Sequence, residues 1–201
     1  MTTIRSKMLA LAAVLPLAAL ASPAVANTES ANSTATTMTT AASAPITRAE
    51  VEAAQKAWGD ALVAISTEYE RNGHAAAKRL AEQVIDSAYG YNMGPVLFKP
   101  TLAAAPQTFR TARDGALAYF VGGDKAYAND KGFALMNWRD VDFTNAGILT
   151  NGNTAKALGN VTFTDAKGNK TTVDKTFGYV RGPDGKLRIV LHHSSLPYQA
   201  N

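Results

Sequence analysis

The sequence contains no cysteine among its 201 residues. This absence excludes disulfide bonds, thiolate catalysis and thiolate metal ligands, so stability must come from a packed core or from subunit contacts. The phosphate-binding patterns G-x-G-x-x-G and G-x-x-x-x-G-K are also missing, as is the G-x-S-x-G nucleophile elbow. The sequence therefore gives no sign of a nucleotide-binding loop or a serine hydrolase, and we expect no cofactor.

Charge is scarce as well, since charged residues make up 18% of the chain and the formal net charge is +4. Lysines and arginines alternate with Asp and Glu instead of forming a basic stripe. A protein that follows a nucleic-acid backbone needs such a stripe. The composition therefore argues against a nucleic-acid partner.

The beginning of the chain has the pattern of an export signal. Arg5 and Lys7 precede an apolar stretch at residues 8–20, which is short for a membrane span, and Ala24-Val25-Ala26 has the small-x-small spacing of a signal-peptidase site. We predict that residues 1–26 are removed, which lowers the net charge from +4 to +2. The mature protein is then expected to be periplasmic or secreted, without membrane contact; the alternative is an uncleaved N-terminal anchor.

Residues 27–45 are rich in Ser, Thr and Ala and lack periodic apolar positions, which predicts a disordered linker before a folded domain at residues 46–201. Thr47 and Glu50 have capping-box spacing, and apolar residues then recur every three or four positions until Asn72-Gly73. A second helix is predicted from about residue 74 to residue 88. A third is predicted over residues 107–120.

From Trp138 onward the apolar period changes from 3.6 to 2. Four strand candidates follow, separated by turn sequences such as Asn151-Gly152 and Gly182-Pro183-Asp184-Gly185. Helices first and an antiparallel meander last predict an α+β domain in which the helices cover one face of the sheet.

The last strand carries the stretch DGKLRIVLHHSSLP, residues 184–197. It is similar to the closing strand of the association domain of calcium/calmodulin-dependent protein kinase II, in which a DGKW-like turn leads to H-x-H-x-S. Together with VLFKP at residues 96–100 and the meander, the layout resembles the NTF2-like superfamily, including its SnoaL-like members. The resemblance implies a cone: N-terminal helices packed on a curved antiparallel sheet, a deep pocket between them, and assembly through the outer sheet face.

Adjacent residues on a strand point to opposite faces, so His192 and His193 are not expected to hold one metal ion together unless a bulge intervenes. His193 shares its parity with apolar residues of the same strand, at positions 187, 189 and 191. We therefore predict that His193 faces the pocket and that His192 lies on the outer face. His193 would either contact a ligand or be a buried imidazole bonded to a neighbour.

Five further residues are candidates for the pocket. Tyr179 lies two residues from Phe177 and could approach the His193 row. Arg110 is a candidate through the resemblance, which implies arginines that bind carboxylates, although two other such positions lack arginine here. Tyr119 and Trp138 are candidates for the pocket wall. Asp86 follows an apolar pair and is, with His193, a candidate acid–base group, because a carboxylate in an apolar pocket has a raised pKa.

The function predicted from these features is an exported domain that forms homo-oligomers and binds a small organic ligand in its cone pocket. One alternative is a cofactor-independent isomerase or cyclase of the ketosteroid-isomerase or SnoaL-like type, in which His193 or Asp86 moves a proton. The other alternative is a purely structural assembly module.

Overall fold

The structure is a computed structural model that describes residues 44–200. The predicted export signal and most of the predicted linker lie outside the described residues. The described part contains helices α1 (Arg48–Ala88) and α2 (Arg113–Val121) and strands β1 (Leu97–Lys99), β2 (Trp138–Asn151), β3 (Thr154–Asp165), β4 (Lys170–Arg181) and β5 (Leu187–Ser195). No helix in this part is both long and apolar enough to cross a membrane.

Helix α1 begins with the predicted capping box. The amide of Thr47 donates to Oε2 of Glu50 at 2.8 Å, and the amide of Glu50 donates to Oγ1 of Thr47 at 3.3 Å. The two predicted N-terminal helices form one element that is kinked at Gly73, where φ is 75° and ψ is −177°. Only glycine adopts this conformation without strain, which explains why the helical pattern is interrupted there.

The five strands form one sheet in the order β1-β5-β4-β3-β2. Strands β2 to β5 are a continuous antiparallel meander, as predicted, and the short β1 adds to β5 in the parallel direction. Its register pairs Phe98 with His192. The helices cover one face of this sheet, so the predicted α+β cone fold is confirmed.

The third predicted helix is shorter than expected, because residues 107–112 are not helical. The amide of Arg110 donates to the carbonyl of Phe98 at 2.8 Å, and the amide of Val96 donates to the carbonyl of Thr111 at 3.3 Å. These bonds hold the segment in an extended conformation beside β1. Helix α2 therefore begins only at Arg113.

Aromatic side chains from both helices and four strands meet on the inner face of the sheet. Trp58 of α1 is 4% exposed and makes edge contacts with Phe163 and Phe177, with ring centroids 6.4 and 5.8 Å apart. Phe98 stacks on Phe120 of α2 at 5.8 Å. Such contacts bury large apolar areas and make the centre of the cone a poor environment for any unpaired charge.

Candidate active site

A β-bulge in β5 decides which histidine enters the cone. Gly178 of β4 pairs with Leu191, whereas the next residue, Tyr179, pairs with Ile189, so Val190 is an extra residue on β5. The bulge shifts the alternation by one position, because a single inserted residue sends all later side chains to the other face. His192 is consequently buried and His193 is exposed. The prediction that His193 faces the pocket and His192 the outside is wrong.

His192 is the last of three side chains joined by hydrogen bonds. Nε1 of Trp58 donates to the hydroxyl of Tyr89 at 2.9 Å, and this hydroxyl lies 2.8 Å from Nδ1 of His192. Because indole can only donate, the Tyr89 hydroxyl accepts from Trp58, and we assign its own proton to the bond with Nδ1 of His192. Burial lowers the pKa of His192 well below its usual value, and nearby Lys175 lowers it further. With this assignment the neutral ring carries its proton on Nε2, which is buried and has no hydrogen-bond partner within residues 44–200.

Three hydroxyl groups lie next to His192. Ser194 follows two residues later on the same face of β5 and is 2% exposed. Its Oγ is 2.5 Å from Oγ1 of Thr101, and the neighbouring amide of Leu102 donates to the hydroxyl of Tyr119 on α2 at 3.4 Å. Burial raises the pKa of the Tyr119 hydroxyl, so it stays protonated. One hydroxyl of the Ser194–Thr101 pair donates to the other, so the pair offers one proton to a further acceptor and Tyr119 offers another.

Lys175 completes this arrangement from β4. It pairs directly with Ser194 across the two strands, and it is 4% exposed. Its Nζ lies over the ring of Trp58 at 4.4 Å from the centroid. Burial lowers the pKa of Lys175 from 10.5 to about 7. Thr101, Tyr119, Lys175, His192 and Ser194 are called the interior polar cluster below.

Two of the predicted site residues have other roles. Asp86 is largely exposed and accepts hydrogen bonds from Nε and Nη2 of Arg113 at 2.6 and 2.8 Å. The Arg113 guanidinium lowers the pKa of Asp86, so the prediction of a pocket carboxylate with a raised pKa is wrong. Arg110 is buried, but its guanidinium is bound on two sides by Asp130 and by the carbonyl oxygens of Gln107 and Phe109. It has no free edge for the predicted carboxylate ligand.

Trp138 and Tyr179 are both buried, at different places in the cone. Nε1 of Trp138 donates to the carbonyl of Phe133 at 2.7 Å. Nε1 is the only polar group of this side chain, so none is left to bind a ligand. Tyr179 borders a separate cleft of about 220 Å³ between α1 and the β4–β5 hairpin. Its hydroxyl has no hydrogen-bond partner in the described part of the chain. The structure therefore does not bring Trp138 and Tyr179 into the interior polar cluster.

Of the residues proposed from sequence, only Tyr119 lies in the interior polar cluster. Lys175 had a recognisable signal, because it shares the parity of Val173 and Phe177, which are buried on the same strand. Thr101 lies in a turn after β1 and had no local signal. Within residues 44–200 no group of three His, Cys, Asp or Glu side chains is arranged to hold a metal ion.

Comparisons with known proteins identify the family. The family described as metal-independent carbonic anhydrase matches residues 49–196. The metal-independent carbonic anhydrase of Nostoc sp. (strain PCC 7120 / SAG 25.82 / UTEX 2576) is 65% identical over 154 residues, which cover 77% of this chain and 75% of that protein. The crystal structure of the iota-carbonic anhydrase from a cyanobacterium complexed with bicarbonate is 64% identical, with a TM-score of 0.77, and covers 78% of this chain and 95% of that chain.

A domain from Xanthomonas campestris, named for the calcium/calmodulin-dependent protein kinase II association domain, is 22% identical with a TM-score of 0.48 and covers 75% of this chain and 88% of its own. The predicted architecture, N-terminal helices packed on a curved antiparallel sheet, is the one the structure has, while the closer assignment to association-domain or SnoaL-like proteins is replaced by another family. The family match and the two carbonic anhydrase relatives contradict the predicted functions, namely the ligand-binding module, the isomerase or cyclase and the structural module. The chain belongs to the metal-independent carbonic anhydrases.

Proposed function

We propose that this protein catalyses the reversible hydration of CO2 to bicarbonate, and that the interior polar cluster is its active site. The observation that carries the proposal is the burial, among aromatic rings on the inner face of the sheet, of the paired Ser194 and Thr101 hydroxyls together with the unpartnered Nε2 of His192. The relative with a bound bicarbonate supports the assignment of this substrate.

The chemistry of the reaction fits these side chains. CO2 is small and apolar, so the rings of Trp58, Phe98 and Phe177 around His192 offer it a suitable environment. When water attacks the carbon atom, negative charge develops on the oxygen atoms of CO2. Hydroxyl and imidazole N–H donors fixed in a water-poor interior stabilise such charge more strongly than water does, because they need no reorganisation.

The hydrogen-bond chain behind His192 has a defined purpose in this proposal. Because Tyr89 donates to Nδ1, the Nε2–H is held as a donor toward the substrate oxygen instead of exchanging with the other tautomer. The raised pKa values of Tyr89 and Tyr119 keep both hydroxyls protonated at neutral pH. The Nε2–H of His192 and the hydroxyl proton of Tyr119 are thus available as donors to the substrate oxygens.

Stopped-flow CO2 hydration assays with a pH indicator test the proposal on the full-length protein, with the metal content measured in the same sample. We expect the wild type to be active and Ser194→Ala to lose about 100-fold in kcat/KM, the usual effect of removing one oxyanion donor. Thr162→Val is the matched control. The hydroxyls of Thr162 and Thr172 form a similar pair, 2.8 Å apart, but this pair is exposed and lies outside the cone interior. An inactive wild type, or equal losses in both variants, would contradict the proposal.

Two further parts of the proposal concern location and assembly. Residues 1–26 have the pattern of an export signal. Fractionation of the native host tests export, and a cytoplasmic protein of full-length mass contradicts it.

Leu149 and Leu158 are 65% and 56% exposed on the outer face of the sheet, which supports a homo-oligomer formed through this face. Light scattering should then show that Leu158→Asp lowers the mass of the particle; an unchanged mass refutes this contact.

A further inference from the structure

Lys175 is unusual among the lysines of the described chain because it is buried without a charged partner. It is 4% exposed, and it forms neither an ion pair nor a hydrogen bond with any residue in the range 44–200. Nζ instead lies near three aromatic rings, at 4.4 Å from the centroid of Trp58, 5.1 Å from Phe163 and 5.6 Å from Phe177. Burying an amine in this way is costly, so its retention at this place needs a functional explanation.

The position of Lys175 relative to the hydroxyl groups is fixed by strand pairing. It lies directly opposite Ser194 on the inner face of the sheet, and residues paired in this way have Cβ atoms about 5 Å apart. The amine therefore shares the compartment in which Ser194, Thr101 and His192 present their donors.

Hydration of CO2 also requires an acceptor for a proton of the attacking water, and the other titratable groups do not supply one. In the tautomer assigned above, His192 carries its proton on Nε2 and uses Nδ1 to accept from Tyr89, so that it offers no free lone pair. Asp130 is a buried carboxylate, but both of its oxygens are bound by Arg110. Asp174, next to Lys175 in sequence, is exposed on the other face of β4.

We propose, on the basis of the function proposed above, that Lys175 is the catalytic base of this site. The neutral amine takes one proton from the attacking water while the water oxygen forms a bond to the carbon of CO2. One C=O π electron pair moves onto the corresponding oxygen of CO2. The products are bicarbonate and the Lys175 ammonium ion, which pair electrostatically until bicarbonate leaves and the proton passes to solvent. In the reverse direction the ammonium ion returns the proton to the departing hydroxyl group of bicarbonate.

The electrostatic surroundings of Lys175 are consistent with both states. Burial lowers its pKa to about 7, so the neutral amine and the ammonium ion are both accessible near neutral pH. His192 from β5, Tyr89 from the end of α1 and Tyr119 from α2 are neutral groups in this interior. The charged groups beside it are Lys99 of β1, whose Nζ donates to the carbonyl of Ser194 at 3.0 Å, and the Arg110–Asp130 ion pair near Tyr119. The rings of Trp58, Phe163 and Phe177 stabilise the ammonium ion when it forms.

The test compares Lys175→Met with wild-type protein in CO2 hydration from about pH 6 to about pH 9. We expect kcat to fall at least about 100-fold, and the rise of the wild-type rate with pH through neutrality to disappear. Lys170→Met, which removes an exposed lysine from the same strand, is the matched control and should change neither quantity.

Two additional variants separate a base from a fixed charge and from a structural role. Lys175→Arg keeps the charge but cannot lose its proton at these pH values, so it should be as inactive as Lys175→Met. Lys175→Ala leaves space for a small amine, and added propylamine should restore part of its activity.

Three results would overturn the proposal about Lys175 while the proposed function stands. These are activity of Lys175→Met within about threefold of an active wild type, high activity of Lys175→Arg, or a mass increase showing that Lys175 is held as a carbamate during turnover. Inactivity of the wild type itself would instead refute the proposed function.

Discussion

Lys175→Met should make the protein more stable, and by an amount that depends on pH. Methionine keeps the apolar stem in the aromatic environment and removes the amine. The pKa of Lys175 is lowered from 10.5 to about 7 in the fold. At about 1.4 kcal/mol per pKa unit, this difference corresponds to about 5 kcal/mol of destabilisation carried by the ammonium ion.

The pH window follows from proton linkage. Below about pH 7 the lysine is protonated in both the folded and the unfolded state, so the wild type carries the full cost of the buried charge. Between about pH 7 and about pH 10.5 the unfolded state binds more protons than the folded state, so the stability contributed by this group rises with pH. The advantage of Lys175→Met should therefore be largest at about pH 6 and become small above about pH 10.

Thermal unfolding measures this advantage. In a domain of this size 1 kcal/mol shifts Tm by about 2–4 °C, so the variant should melt at least about 10 °C higher at about pH 6. Groups other than His192 titrate alike in both proteins and cancel in the difference; loss of Lys175 removes one cause that lowers the pKa of His192, which adds to the advantage of the variant at acid pH. Lys170→Met provides the control for loss of an exposed amine. A Tm difference that is absent, negative or independent of pH would refute the reasoning that Lys175 is buried as a destabilised cation.

Other substitutions test further parts of the structure. Asp130→Ala should destabilise the protein by about 3–5 kcal/mol in urea denaturation, because the buried Arg110 loses its counter-ion; a loss comparable to that of an exposed pair contradicts this. Gly73→Ala should cost about 1–3 kcal/mol, because φ is 75° at the kink, and unchanged stability would show that the kink is not strained for alanine. Tyr89→Phe should release the His192 tautomer, visible as averaged ¹⁵N shifts of the imidazole; shifts identical to wild type would refute the fixed tautomer.

The general architecture could be predicted from sequence because it depends on local patterns. Thr47 and Glu50 form the capping box at the expected place, and the meander strands follow the apolar alternation and the glycine-containing turns. Such signals are carried by neighbouring residues and need no knowledge of distant contacts. The third helix was predicted too long because residues 107–112 satisfy their backbone groups on β1, which is a non-local interaction.

The site could be predicted only in part. Tyr119 was identified as an interior aromatic, and the parity of Lys175 with Val173 and Phe177 was present in the sequence as an unused signal. The association of Thr101 with Ser194 joins residues 93 positions apart, so it depends on the parallel pairing of β1 with β5. No local pattern contains that information.

By itself the sequence determined that a helical N-terminal half covers a twisted antiparallel meander and that the last strand carries two adjacent imidazoles. Tertiary structure alone decided which imidazole enters the cone. Val190 is the bulged residue of β5, at the place where β5 pairs with Gly178 of β4. On its other side β5 is bonded to the chain after α1, where the amide of Gly90 donates to the carbonyl of Ile189 at 2.9 Å. Because side chains alternate with a period of two, this one extra residue exchanges the environments of His192 and His193.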